Sequence, residues 1–265
     1  MDTRIKKGIS IIRNEGIIEF IYQVIRHILS KHNIKTRPSK TYFHYIFDKD
    51  IERYSHCERA ADIAASDFKN IDNFNCDIYY GVDNDERRLR EGMKKIKEDS
   101  QTAFIDGELT QKKLSQHCTY NKPMYIAING DMRNQIFPDS SLDLIASTHT
   151  LHHIPPSDHE AVVRNFCQWL RPNGTLLLQI SNKEWYNSDI QNILDENFSH
   201  LESKLYKTPF SAVYERIIYS FFGGQANTRL GKLLYLFFSL FLLPIEKSSL
   251  TGGQYIYVRC KGRRS

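Results

Sequence analysis

The chain has 265 residues, 41% hydrophobic and 25% charged, with a formal net charge of +5. That length and apolar content suit one α/β domain with additions better than two full domains. Five cysteines, Cys57, Cys76, Cys118, Cys167 and Cys260, are scattered without a Cys-x-x-Cys pair, a pattern that argues against a zinc site and a disulfide framework and points to a reducing cytoplasm.

The net charge conceals a segregation along the chain. Residues 1–40 carry nine Lys/Arg against three Asp/Glu, residues 41–226 twenty against twenty-seven, and residues 227–265 seven against one. Basic ends on an acidic body predict that the termini, rather than the central domain, meet a polyanionic surface. Within residues 3–31 the apolar positions Ile5, Ile9, Ile12, Ile17, Phe20, Ile21, Val24, Ile25 and Ile28 recur mostly at three- and four-residue spacing. This spacing predicts an amphipathic helix, kinked or paired near Asn14–Gly16, that lies either on an anionic membrane or on the domain itself. Residues 1–40 are therefore read as a basic amphipathic extension. No apolar run with a small-residue cleavage site follows Met1, so no signal peptide is expected.

From Arg59 the pattern becomes short apolar runs separated by polar helical segments, the rhythm of a parallel sheet with crossover helices. Strands are expected near 60–64, 77–82, 125–128, 142–147 and 175–180, with helices at 85–97 and 158–170. Ser157, three residues before Glu160, has the spacing of a capping box for the second helix. Residues 183–250 interrupt the rhythm and are rich in Tyr and Phe, which predicts a helical aromatic insert. Its run Leu233–Ile245 spans thirteen residues, short of the roughly 20 that cross a bilayer as a helix. Residues 251–265 are read as a final strand near 254–260 followed by a basic tail, and residues 41–182 as the core domain.

Carboxylates and imidazoles gather at the expected strand ends. Ile78-Tyr-Tyr-Gly-Val-Asp83 ends in an acid, Gly130-Asp131-Met132 follows the third run, and His149, His152 and His153 follow the fourth. In open α/β sheets that edge is where ligands bind. A carboxylate at the tip of the strand beside the first can accept both hydroxyls of a ribose, which suits Asp83.

These blocks, with Phe137-Pro138-Asp139-Ser-Ser-Leu-Asp143-Leu-Ile, Leu151-His152-His153-Ile154 and Leu170-Arg-Pro-Asn-Gly174-Thr-Leu-Leu-Leu, resemble the class I S-adenosylmethionine-dependent methyltransferases, in particular the small-molecule branch called type 11. The resemblance covers residues 58–182. It implies a Rossmann-like sheet with helices on both faces, flanked here by the N-terminal amphipathic helix and the helical aromatic insert before the last strand. It also implies S-adenosyl-L-methionine as cofactor, with Asp83 and its neighbour Asn84 at the ribose and Asp131 with Met132 at the adenine. The family's Asp-x-Gly-x-Gly aligns with Asp62-Ile63-Ala64-Ala65-Ser66, so both glycines are replaced. Ala64 and Ser66 then stand where the backbone approaches the methionine portion of the cofactor, and Asp62 is either a cofactor-side carboxylate or a strand-end cap. Only ten residues separate Ser66 from Asp77, so the family's first helix is expected to be reduced to a loop or a single turn.

Methyl transfer to a hydroxyl needs orientation, desolvation and a base, and His149 and His152 are the first candidates for that base. No metal site is expected, since the histidines and Asp139 lack a regular ligand spacing. The resulting expectation is a methyltransferase acting on a hydroxyl of a small molecule or a lipid-linked glycan, cytoplasmic and peripheral at the inner face of a membrane through its basic termini. Nucleic acid is not expected as a partner, because the basic residues carry no recognition motif. The alternative is a non-catalytic protein of the same fold, a membrane-associated binding or assembly partner that lost cofactor affinity with its glycines.

Overall fold

The computed structural model describes residues 24, 42–96, 98, 100–116, 123–148, 150–206 and 255–264. The expected N-terminal extension, apart from Val24, and the aromatic segment after residue 206, including Leu233–Ile245, lie outside the described residues. Residues 47–205 with 254–265 form one unit.

Helix α1 (Tyr42–Tyr54) leads into strand β1 (Arg59–Ile63), followed by β2 (Ile78–Asp83), α2 (Glu86–Met93), β3 (Gln101–Asp106), α3 (Gln111–Gln116), β4 (Met124–Asn129) and β5 (Leu142–Ser147). Then come α4 (His159–Trp169), β6 (Leu170–Ser181), α5 (Asn182–Tyr186), α6 (Ile190–Asn197), β7 (Phe198–Tyr206) and β8 (Tyr255–Arg263). Eight strands form one sheet in the order β3-β4-β2-β1-β5-β6-β8-β7. Strands β1 to β6 run parallel, with Asp62 level with Gly81 on one side and Ala146 on the other, while β8 pairs antiparallel to β6.

The register divides the side chains between two faces. Ala61, Ile63, Tyr80, Val82, Ile126 and Ile128 join Val162, Val163 and Phe166 of α4 and Ile193 and Leu194 of α6 in the larger core. The alternate positions Tyr79, Ala127 and Tyr125 pack with Leu89 of α2, Ala65 and Phe68 on the opposite face. Burial on both faces explains why β1 and most of β2 read as continuous apolar runs rather than an alternation. The expected fold, a Rossmann-like sheet with helices on both faces, is the one found.

Several elements differ from the sequence reading. Residues 98–124, whose role the pattern left open, supply the edge strand β3 and the short α3. Residues 183–206, expected within the helical insert, supply α5, α6 and strand β7, and β7 joins the sheet beside β8. Alternation is weak in β7 because it is an edge strand whose residues 202–204 are exposed. The capping box at Ser157 does not form. A short 3-10 turn over Pro156–Asp158 precedes α4, Ser157 Oγ donates to Asp158, and Glu160 instead accepts the Asp189 amide at 3.1 Å. Helix α1 is tied to the sheet by Tyr257, whose hydroxyl donates to Asp50 at 2.6 Å, and by Arg259 on the same carboxylate at 2.9 Å. Among the described residues no helix is long and apolar enough to cross a membrane.

Candidate active site

The chain leaves β1 for β2 on one side and returns to β5 on the other, so the carboxyl ends of β1 and β5 flank the switch point where such sheets open a crevice. The loop after β1, the tip of β2, the turn after β4 and the residues after β5 all meet this edge. The Gly130 amide donates to the Asp83 carbonyl at 3.0 Å, which joins the β4 turn to the tip of β2.

The loop after β1 keeps a glycine-like path without glycine. Ala64, Ser66 and Phe68 adopt φ of 59°, 54° and 57°, a left-handed conformation costing about 1–2 kcal/mol per L-residue. The surrounding hydrogen bonds hold it there. The Ala65 amide donates to the Val82 carbonyl at 2.9 Å, the Ser66 amide to Asp83 Oδ2 at 2.8 Å, and the Phe68 amide to the Ala65 carbonyl at 2.9 Å. As expected, no α-helix stands between β1 and β2. A bent loop and the 3-10 turn Ile71–Asn73 take its place, and the buried Phe68 ring fills the space, packing edge-on against Tyr79 with centroids 5.4 Å apart.

Two glycines make room for that ring. A Cβ on Gly81 would lie 2.2 Å from Phe68 Cε1, and a Cβ on Gly92 would lie 2.7 Å from Phe68 Cγ. Glycine in the interior of a strand and of a helix is unfavourable by itself and signals close approach, so Gly81 and Gly92 were the sequence signal for a buried ring over β2.

Asp83 is half-buried, with Oδ1 accepting the Asp85 amide at 3.0 Å and Oδ2 the Ser66 amide at 2.8 Å. A carboxylate oxygen has two lone pairs, so each retains one for a ligand hydroxyl. Asn84 follows it and is exposed. For Asp62 the burial favours the second of its two readings, a support at the strand end. Its carboxylate is 1% exposed and accepts Asn70 Nδ2 at 3.2 Å and the Tyr79 hydroxyl at 3.2 Å. It sits beneath the loop and supports it, leaving no surface for a cofactor. Burial, and then the Asp62 charge, push the Tyr79 hydroxyl well above its ordinary pKa, so it stays a donor.

Asp131 is occupied differently from expectation. The Arg133 amide and Nε both reach its Oδ1 at 3.0 Å, and Nε reaches Oδ2 at 2.9 Å. These hydrogen bonds from Arg133 hold the Asp131 carboxyl below its usual range. An adenine amino group would have to displace Arg133, so direct contact requires that guanidinium to move. Met132 packs against the larger core.

Beyond β5, Ser147 Oγ donates to Thr150 Oγ1 at 3.0 Å and buried Leu151 anchors the 3-10 turn Leu151–His153. His149 lies outside the described residues. His152 and His153 are exposed on that turn with ring centroids 3.9 Å apart. Partial burial, reinforced by His153, lowers the pKa of His152 against the opposing pull of Glu184. His159 is buried with Nε2 3.1 Å from the Ile154 carbonyl and serves the turn. Burial pushes the Cys57 and Cys167 thiols up to about 12, which removes them as nucleophiles. Among the described residues no three His, Cys, Asp or Glu are placed to hold a metal ion.

Residues 67–178, starting inside the loop and ending in β6, match the family model described as a methyltransferase domain. This stretch of the core is thus similar to a methyltransferase domain. Among solved structures, the chain is similar to a phosphoethanolamine N-methyltransferase 2 of Haemonchus contortus, at 13% identity and a TM-score of 0.49 over 96% of this chain and 59% of that one. It is similar also to the YcgJ protein of Bacillus subtilis, at 15% identity and 0.44 over 84% and 100%. A third is a methyltransferase of Archaeoglobus fulgidus, at 11% and 0.44 over 98% and 100%. No curated protein matches the sequence.

The backbone is left-handed at Ala64 and Ser66, and Asp83 keeps acceptor capacity at the strand tip, an arrangement compatible with a ribose-bearing cofactor.

Proposed function

We propose that the domain transfers the methyl group of S-adenosylmethionine to a hydroxyl of a small molecule or a lipid-linked glycan. The observation that carries the hydroxyl is His152, an exposed imidazole of lowered pKa on the turn after β5, beside the switch point. When bound, S-adenosylmethionine supplies an electrophilic methyl on a sulfonium. Asp83 and the adjoining Asn84 would hold the ribose, and the backbone of the Ala64–Ser66 loop would lie along the methionine portion. Met132, with Asp131 once Arg133 turns aside, flanks the adenine. The neutral His152 ring would accept the acceptor hydroxyl's proton while that oxygen takes the methyl that the sulfonium would supply. His149 is a second candidate for the same proton.

Because the His152 pKa is lowered, the ring is neutral above that value and becomes charged only as pH falls through it. The rate is therefore expected to rise with pH and level off below the ordinary histidine range near 6.5. His152→Ala is expected to remove that limb and lower kcat by roughly 100-fold. The measurement is S-adenosylhomocysteine release against a panel of free and lipid-linked sugars; an unchanged pH limb in the variant would clear His152 of this role.

A second reading, a non-catalytic binding or assembly partner, is favoured by the side chains that Ala64, Ser66 and Phe68 place in the glycine loop. Its signature is a folded protein with no affinity for S-adenosylmethionine.

The basic termini are assigned to peripheral contact with the inner face of a membrane on their charge, nine Lys/Arg in residues 1–40 and seven in 227–265, each cation contributing about 1 kcal/mol near an anionic leaflet. Deleting residues 1–40 is expected to weaken co-sedimentation with anionic vesicles at low salt. Equal binding of the two chains would exclude the N-terminal anchor.

A further inference from the structure

The loop that replaces the family's first helix needs a support that the helix would have provided, and α2 is placed to give it. Arg88 Nη1 donates to Ser66 Oγ at 2.9 Å. Gly92, four residues on, lies against Phe68 and the Asp67 backbone. Lys95, in the turn after the helix, donates to the Asp67 carbonyl at 2.7 Å and pairs with the Asp67 carboxylate. Positions 88 and 92 share one helical face, and Lys95 follows in the turn, so this side of α2 and the turn after it meet the loop.

The Arg88 end of this stripe closes a circuit around the ribose carboxylate. The Ser66 amide and the Asp85 amide hold the two oxygens of Asp83 at 2.8 and 3.0 Å. Asp85 Oδ1 accepts the Arg88 amide at 3.1 Å, and its Oδ2 lies 3.5 Å from Arg88 Nε. Arg88 returns to Ser66 through the hydroxyl. Ser66 thus donates its amide to Asp83 while its hydroxyl is drawn toward α2, and Oγ itself donates to Asp67 at 3.4 Å.

We propose that Arg88 is a positioning residue for cofactor binding: it holds the Ser66 side chain on α2, so that a serine occupies the glycine position with its amide still aimed at Asp83. The helix face takes over what a glycine would do by having no side chain to place. This inference rests on the S-adenosylmethionine reading of the site.

The test compares full-length wild type, Arg88→Ala, Ser66→Gly and the double variant, reading the S-adenosylmethionine dissociation constant by calorimetry and the backbone amide at position 66 by hydrogen exchange. Arg88→Ala is expected to weaken binding by about 10-fold, the size of one lost hydrogen bond to a charged group, and to speed exchange of the Ser66 amide. In the Ser66→Gly background, where no hydroxyl needs holding, adding Arg88→Ala is expected to change both readouts less than about twofold. A residue with a merely structural role would cost the same in both backgrounds. An equal loss of affinity in both backgrounds, or none in either, overturns the proposal. If wild type binds no S-adenosylmethionine, the cofactor reading fails, and the exchange rates decide the clamp on their own: equal rates in Arg88→Ala and wild type overturn it.

Discussion

Asp83→Ala is expected to lower the affinity for S-adenosylmethionine by about 100-fold or more while leaving the fold intact. Two charge-assisted hydrogen bonds to ribose hydroxyls, each contributing about 1.5–3 kcal/mol, would be removed together. The protein-side cost is small, because the carboxylate is half-buried and its two internal donors, the Ser66 and Asp85 amides, can turn to water. Calorimetric titration with S-adenosylmethionine and S-adenosylhomocysteine measures it. Micromolar binding by the wild type that disappears in the variant establishes the ribose contact, whereas equal affinities would move that contact elsewhere on the strand edge.

Phe68→Ala has the larger expected effect on stability. The ring is 1% exposed and fills the space that Gly81 and Gly92 leave by lacking a Cβ. Its removal leaves a cavity between β2 and α2, and such truncations cost about 3–5 kcal/mol. The small residue at position 68 would also retain its left-handed backbone, so no strain is relieved to offset the loss. A chemical denaturation midpoint reads the result. A loss under about 1 kcal/mol, far below the usual cost of such a cavity, would mean that the loop collapses onto α2 and refills the space. A companion substitution, Gly81→Ala, approaches the same contact from the strand and is expected to destabilise by about 1–3 kcal/mol through overpacking.

The clamp on Ser66 and the keystone ring describe one adaptation. Docking the loop directly on α2 holds the left-handed backbone path with alanine and serine at positions 64 and 66. Three left-handed L-residues in five positions are costly, and they persist because the Val82 carbonyl, Asp83, Arg88 and Lys95 over-determine them.

Much of this architecture was legible in the order of residues. The apolar runs at β1, β2, β4, β5 and β6 mark a parallel sheet because strands covered on both faces cannot alternate, and the family resemblance placed Asp83 at the strand tip where it is found. The edge strands β3 and β7 were missed for the same physical reason in reverse. With one side unpaired and residues open to water, β3 reads as Gln101-Thr-Ala-Phe-Ile-Asp106 and β7 as Phe198-Ser-His-Leu-Glu-Ser-Lys, patterns that also suit loops and helices. Local sequence also suggested a capping box at Ser157 that the longer-range bond from Asp189 to Glu160 displaced.

The sequence by itself determined which strands are central, where the acids and imidazoles fall along them, and that the glycine loop is altered, because periodicity and strand ends are local properties of the chain. Only the tertiary structure decided that Asp62 supports the loop from below, that Arg133 covers Asp131, and that Phe68 and Arg88 stand in for a missing helix. Those roles arise through hydrogen bonds and space-filling that depend on how α2 and the loop meet over β2. A list of residue types cannot specify that meeting, since Asp, Arg and Phe each have many places in a sheet edge that would satisfy them equally well.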